Sequence, residues 1–113
     1  MDDGLLLWEE FLKVEMRVGT IISAQVNSKA KKPAYTLMID FGPLGIKTSS
    51  AQITQLYDLD SLPGKQVIAV VNFPPKQVAG TKSECLVLGA VRENGEVILL
   101  APEREVNNGT RIG

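Results

Sequence analysis

Asn72-Phe73-Pro74-Pro75-Lys76 places an amide, an aromatic ring, two prolines and a cation directly after the apolar run Val67-Ile68-Ala69-Val70-Val71. Two roles fit these five residues. Proline cannot donate to a sheet ladder, so a pair of them ends a strand, and the residue before the first proline is driven into an extended conformation. The same set also suits a rigid binding rim. Phe73 offers a flat apolar surface, Asn72 both donates and accepts hydrogen bonds, and Lys76 carries a charge suited to a phosphate or a carboxylate.

A second polar stretch, Gly45-Ile46-Lys47-Thr48-Ser49-Ser50-Ala51-Gln52-Ile53-Thr54, is rich in hydroxyl and amide side chains. It fits helix capping and turn bonding. It equally fits a helix N-terminus whose free N–H groups hold an anion or a carbonyl. Cys85, the single cysteine, reads as a core residue, and Lys29–Lys32 reads as a solvated turn. The chain has no histidine. That removes Ser-His-Asp and Cys-His nucleophiles, an imidazole base and most zinc sites. There is no Walker sequence, no GxGxxG and no paired-carboxylate spacing. Asp40 and Glu84 remain as candidate bases without a partner, so no catalysis, metal or cofactor is expected.

The elements that must position these residues are mostly strands. Alternation predicts a long strand from Val14 to Asn27, with Val14, Met16, Val18, Ile22, Ala24 and Val26 on its inner face and Gly19 as a candidate bend or bulge. A second strand puts Tyr35, Leu37, Ile39 and Phe41 on one face and Thr36, Met38 and Asp40 on the other. Gly42–Gly45 is turn chemistry, and a third strand covers Ile46–Ser49. Ala51–Tyr57 reads as a short helix capped by Ser49 or Ser50. Gln66–Asn72 and Cys85–Val91 are apolar on both faces, hence central strands. Asn94-Gly95 predicts a hairpin that brings Val97–Leu100 back, and Asn107–Thr110 is a further turn. Ahead of them, Leu5–Leu12 has the spacing of an amphipathic helix. It suits either packing on its own core or a subunit interface. Five or more short strands with one small helix after the third describe an all-β, five-stranded Greek-key barrel of the OB type, with an N-terminal helix and a C-terminal extension.

The totals agree with a single domain over residues 1–113. No apolar run reaches the ~20 residues of a membrane span, and the acids around Leu5-Leu6-Leu7-Trp8 do not suit a signal peptide. A cytoplasmic protein is the expectation. The net charge of −1 conceals a pattern: residues 13–82 carry nine bases against four acids, while both ends are acidic. The basic surface is modest beside that of a dedicated nucleic-acid binder.

Phe11-Leu12-Lys13-Val14-Glu15-Met16-Arg17-Val18-Gly19-Thr20-Ile21 resembles the opening of the tRNA-binding OB domain found at the C-terminus of many bacterial methionyl-tRNA synthetases and as a free-standing chain. Pro33-Ala34-Tyr35, Ile39–Gly42, Gly45–Lys47, Ser49–Thr54, Gln66–Lys76 and Ser83–Gly89 follow in order. Together they resemble the CsaA family, small export-related bacterial chaperones of that superfamily. The likeness runs from Phe11 to Gly113. It implies an OB barrel, a homodimer built by the N-terminal helix and C-terminal segment (with Leu5, Trp8 and Phe11 in the interface), binding of unfolded or precursor polypeptides beside the export ATPase, no catalysis and no cofactor. Members that bind tRNA carry Ser-x-Gly-Met after the Pro-rich loop. Here Ser83, Cys85 and Leu86 occupy the matching positions without glycine or methionine, Ser83 and Cys85 falling on the implied peptide- or RNA-binding face, and Glu84 adds an acid.

Two ligand classes remain open. For a polypeptide, Met38 and Phe73 would line an apolar groove, since methionine repacks around varied partners. Asn72, Ser50 and Gln52 would bond its backbone, and Arg17, Lys47 and Lys76 would meet acidic or terminal carboxylate groups. For tRNA, Phe73 would stack on a base while Lys47, Lys76, Lys82 and Lys29–Lys32 meet phosphates.

Overall fold

The computed structural model describes residues 3–113; Met1 and Asp2, the latter one of the N-terminal acids, lie outside them. The elements are helix α1 (Trp8–Leu12) and strands β1 (Met16–Val26), β2 (Tyr35–Asp40), β3 (Ile46–Ala51), β4 (Gln66–Val70), β5 (Lys76–Val78), β6 (Thr81–Ser83), β7 (Leu86–Val87), β8 (Gly89–Val91) and β9 (Val97–Leu99). Five of them form one antiparallel sheet in the order β3-β2-β1-β4-β7. The sheet curls until its two edges meet. Glu84 N donates to Thr48 O at 2.7 Å, and Ser49 Oγ donates to Cys85 O at 3.1 Å. The result is a nearly closed barrel of the OB type. The pairs β5–β6 and β8–β9 are hairpins attached to it.

The barrel closes because β1 is long and bent. Its first half pairs with β4 (Met16↔Val70 to Thr20↔Gln66) and its second with β2 (Thr20↔Asp40 to Val26↔Tyr35). The C-terminal segment lies against the first half: Gly109 N donates to Val18 O, Val18 N to Thr110 O, and Ile112 N to Met16 O. The register shifts between Ile21 and Ser23. This bulge sits three residues beyond Gly19, the expected place, and it reverses the phase at that point. Ile21 is buried, while Ile22, expected inside, is exposed, as are Val14 and Val26. Gly19 serves a different purpose. A Cβ there would stand 2.6 Å from Ile39 Cγ2 and 2.7 Å from Phe41 Cδ1, so its lack of a side chain lets β1 close onto the core.

Val18, Ile21, Leu37, Ile39, Phe41, Leu62, Val67 and Ala69 fill the interior with Tyr35, Ile53 and Cys85. β2 shows the expected alternation, with Tyr35, Leu37, Ile39 and Phe41 inside. Three expectations are corrected. The helix over Ala51–Tyr57 does not form: Ser50 and Ala51 continue β3 opposite Thr36 and Tyr35. The helical piece between β3 and β4 is a single 3-10 turn at Leu59–Ser61. Ser49 is buried with its hydroxyl on Cys85 O rather than at a cap, Ile53 enters the core, and Tyr57 is held by Tyr35 Oη on its carbonyl (2.8 Å) and by Leu99 N on its own hydroxyl (2.9 Å). Cys85–Val91 is broken into β7 and β8. Leu88 N bonds Ile68 O while Leu88 O accepts from Leu100 N, so the chain passes from β4 to β9 at this residue. Finally, α1 has five residues and buries none of them; it does not pack on the core of its own chain.

Candidate binding face

The prolines act on the backbone as their chemistry requires. β4 ends at Val70, Phe73 precedes Pro74, and β5 begins at Lys76. Ala79 (φ 48°) and Gly80 (φ 81°) then form a two-residue turn with both residues left-handed, returning the chain as β6. The hairpin lies over the outer face of the barrel: Thr36 and Thr81 share a hydroxyl–hydroxyl bond of 3.0 Å, and Asn27 Nδ2 reaches Thr81 Oγ1. Sequence reasoning missed this hairpin; Ala79-Gly80 between two short polar runs was its signal.

Between the proline loop, the hairpin and the start of β7 lies a groove of about 610 Å³. Ser50, Phe73, Pro74, Pro75, Lys76, Val78, Ser83, Cys85 and Leu86 line it. Phe73 (53% exposed) and Leu86 present apolar surface to solvent. Five of the nine lining residues are candidates from the sequence: Ser50, Phe73, Lys76, Ser83 and Cys85. Ser83 Oγ accepts from Ser50 N (3.3 Å), tying the groove wall to β3. Cys85 forms the floor. Burial pushes its thiol up from 9.0 to about 11, with Lys47 opposing and Glu84 adding to the rise. It is protonated and unreactive near neutrality. Val78 and Leu86 were not among the candidates, and Pro74 and Pro75, expected to stop the strand and stiffen the rim, also line the groove.

The other expected residues lie elsewhere. Asn72 is committed to the fold: its Oδ1 accepts from Glu15 N (3.0 Å) and its Nδ2 donates to Lys13 O (2.6 Å). Arg17 pairs with Glu15 (2.8 Å) and donates to Gly109 O (3.0 Å), clamping the C-terminal segment. Met38 is exposed on the sheet face that also carries Ser50, opposite Thr48, outside the groove lining. Lys47 pairs opposite Ile39, and its charge acts to lower the pKa of the Cys85 thiol. Gln52 lines two neighbouring hollows of about 310 Å³ each, one with Lys32, Pro33, Thr54, Gln55 and Gly95, the other along β7 and β8. Neither candidate base is set for catalysis. Asp40 Oδ1 accepts from Gly42 N and Glu84 Oε1 from Thr48 N, so both carboxylates brace backbone.

Leu5, Leu6, Leu7, Trp8 and Leu12 are all exposed (Leu5 77%, Trp8 69%), and the Trp8 and Phe11 rings stack obliquely with centroids 5.6 Å apart. A polar concavity of about 400 Å³ between Tyr57, Gln66 and Pro102–Glu105 is bordered by the exposed Glu103–Arg104 pair. It lacks the apolar surface of the groove. No group of His, Cys, Asp and Glu suited to a metal occurs among the described residues, and no helix among them is long and apolar enough to cross a membrane.

The family model for the putative tRNA binding domain matches residues 16–111. Among solved structures, the chaperone CsaA of Bacillus anthracis is 53% identical with a TM-score of 0.93, covering 97% of this chain and 100% of that one. The CsaA chaperone protein of Picrophilus torridus is 47% identical with a TM-score of 0.90, over 96% of this chain and 100% of that one. Among curated proteins, the methionine–tRNA ligase of Methanococcoides burtonii is 35% identical over 108 residues, 96% of this chain but 16% of the ligase. The chain thus spans about a sixth of the ligases it matches.

Proposed function

The chain belongs to the tRNA-binding-domain family, and from that membership we propose that it works as a CsaA-like molecular chaperone, holding unfolded or precursor polypeptides for export rather than catalysing a reaction. The observation that carries this reading is the composition of the groove. Its apolar lining is the exposed Phe73, Pro74, Pro75 and Leu86 with the half-buried Val78, and Lys76 is the cation on its rim. Apolar side chains of an unfolded client gain by leaving water there, and Lys76 favours an acidic or terminal carboxylate neighbour. A polyanion needs several cations along its track. In this reading the protein is cytoplasmic, the export ATPase is its downstream partner, and the chain is a homodimer joined through Leu5, Trp8 and Phe11. The dimer is supported by the exposed apolar arm, whose helix buries none of its residues against the rest of the described chain.

A tRNA-binding role through the same face is the second reading. Its support is the family itself and the gathering of lysines about the hairpin. Lys76 and Lys82 lie on β5 and β6, and the Lys29 side chain comes within 2.8 Å of where a Gly80 Cβ would stand. The ion pairs among the described residues involve arginine only, leaving these lysines available to phosphates.

Parallel titrations with an unfolded polypeptide and with tRNA, at about 50 and about 200 mM salt, separate the two. The chaperone reading expects peptide affinity that barely changes with salt and falls about tenfold in Phe73→Ala. Retention of tRNA with a steep salt dependence, and no affinity for the peptide, would reverse the order of the two readings.

A further inference from the structure

We infer that the polypeptide is held as an added β-strand along the outer edge of β7–β8, an inference that rests on the polypeptide reading above. The backbone pairing marks this edge. Leu88 N donates to Ile68 O, Leu88 O accepts from Leu100 N, and Arg92 N donates to Glu96 O, so Leu88 and Arg92 face β4 and β9. Strand alternation turns the N–H and C=O groups of Val87, Gly89 and Val91 the opposite way. These three residues border the hollow that runs between β7–β8 and the end of β3. β3 and β7 are the two ends of the five-stranded order, so this is the seam where the barrel stays open. Ser49 Oγ on Cys85 O and Thr48 with Glu84 hold the seam shut at one end only.

An exposed edge of this kind is a template for another chain. The hollow is continuous with the Phe73 groove, because Ser50 and Leu86 line both. An extended segment can therefore bond its backbone to Val87, Gly89 and Val91 while its alternate side chains reach Leu86 and the proline rim. Residues 86–91 carry no charge, so this part of the track fits a peptide and offers nothing to a row of phosphates. Lys76, outside any ion pair among the described residues, selects an acidic group at the rim end of the segment.

Synthetic peptides of about eight residues, apolar at alternate positions with one acidic end, test the inference when N-methylated at either of the two alternate sets of amides. Methylating one set should weaken binding about tenfold or more, and the other by less than about twofold. Exchange at the Val87, Gly89 and Val91 amides should slow on binding. Val91→Pro, which removes an outward N–H at a 71% exposed position and leaves the β8–β9 ladder in place, should reproduce the loss. Equal losses from both methylated sets, or unslowed amides, overturn strand addition and leave polypeptide binding standing. Failure of the unmodified peptide to bind the wild-type chain, with tRNA retained instead, overturns both.

Discussion

The proline-rimmed groove and the N-terminal arm expose comparable apolar residues, and the fold treats them in opposite ways. The groove is concave and built on the core: Cys85 is both its floor and a member of the interior cluster. Proline rings and the β5–β6 hairpin hold its walls. The arm's helix buries nothing, and the chain that follows it is tied to the barrel at Lys13 and Glu15, by the Asn72 side chain on both backbones and by Val71 N donating to Glu15 O. Exposed apolar surface alone does not identify a partner. A rigid hollow suits small segments of many clients, whereas a protruding apolar arm suits one large matching surface, such as a second copy.

Breaking the arm should have the largest effect. Trp8→Glu should weaken self-association by about a hundredfold or more, read as a monomer mass by light scattering, while peptide affinity per chain is retained. A wild-type chain that is monomeric at micromolar concentration would end the dimer proposal. Next comes the groove floor. Below pH 9 the Cys85 thiol is protonated in both the folded and unfolded chain, and its contribution is fully present. As pH rises toward about 11 only the unfolded chain ionises it, so about 2–3 kcal/mol of stability should be lost across that window. Denaturant melts of Cys85→Ala should show a correspondingly shallower alkaline decline, and Trp8→Glu should keep the wild-type slope. The smallest effect belongs to the residue between the two regions. Asn72→Ala removes two hydrogen bonds to backbone and should cost about 1 kcal/mol. Amide exchange should quicken at Glu15, with Phe73-dependent peptide binding unchanged within about twofold.

Much of the barrel was legible from local pattern. The alternation of β2, the Asn94-Gly95 hairpin and the proline stop each follow from one stretch of chain. The errors arose where distant segments compete for the same groups. Ser49 looked like a helix cap until Cys85 O, far along the chain, took its hydroxyl. Asn72 looked like a ligand contact until Lys13 and Glu15 took both ends of its amide. The bulge at Ile22 is invisible locally because shifting the phase by one residue costs nothing until β2 is alongside.

The amino-acid sequence by itself determined a mostly β fold without imidazole chemistry, and it set out Phe73, Lys76 and Ser50 as candidates for one face. Strand periodicity and side-chain inventory are properties of each segment, so they survive without knowledge of the fold. Only the tertiary structure decided which polar groups are already spent, where the barrel remains open and that Pro74, Pro75, Val78 and Leu86 complete the groove. Those outcomes depend on hydrogen-bond partners and neighbours brought together across dozens of residues, which no single stretch of the chain encodes.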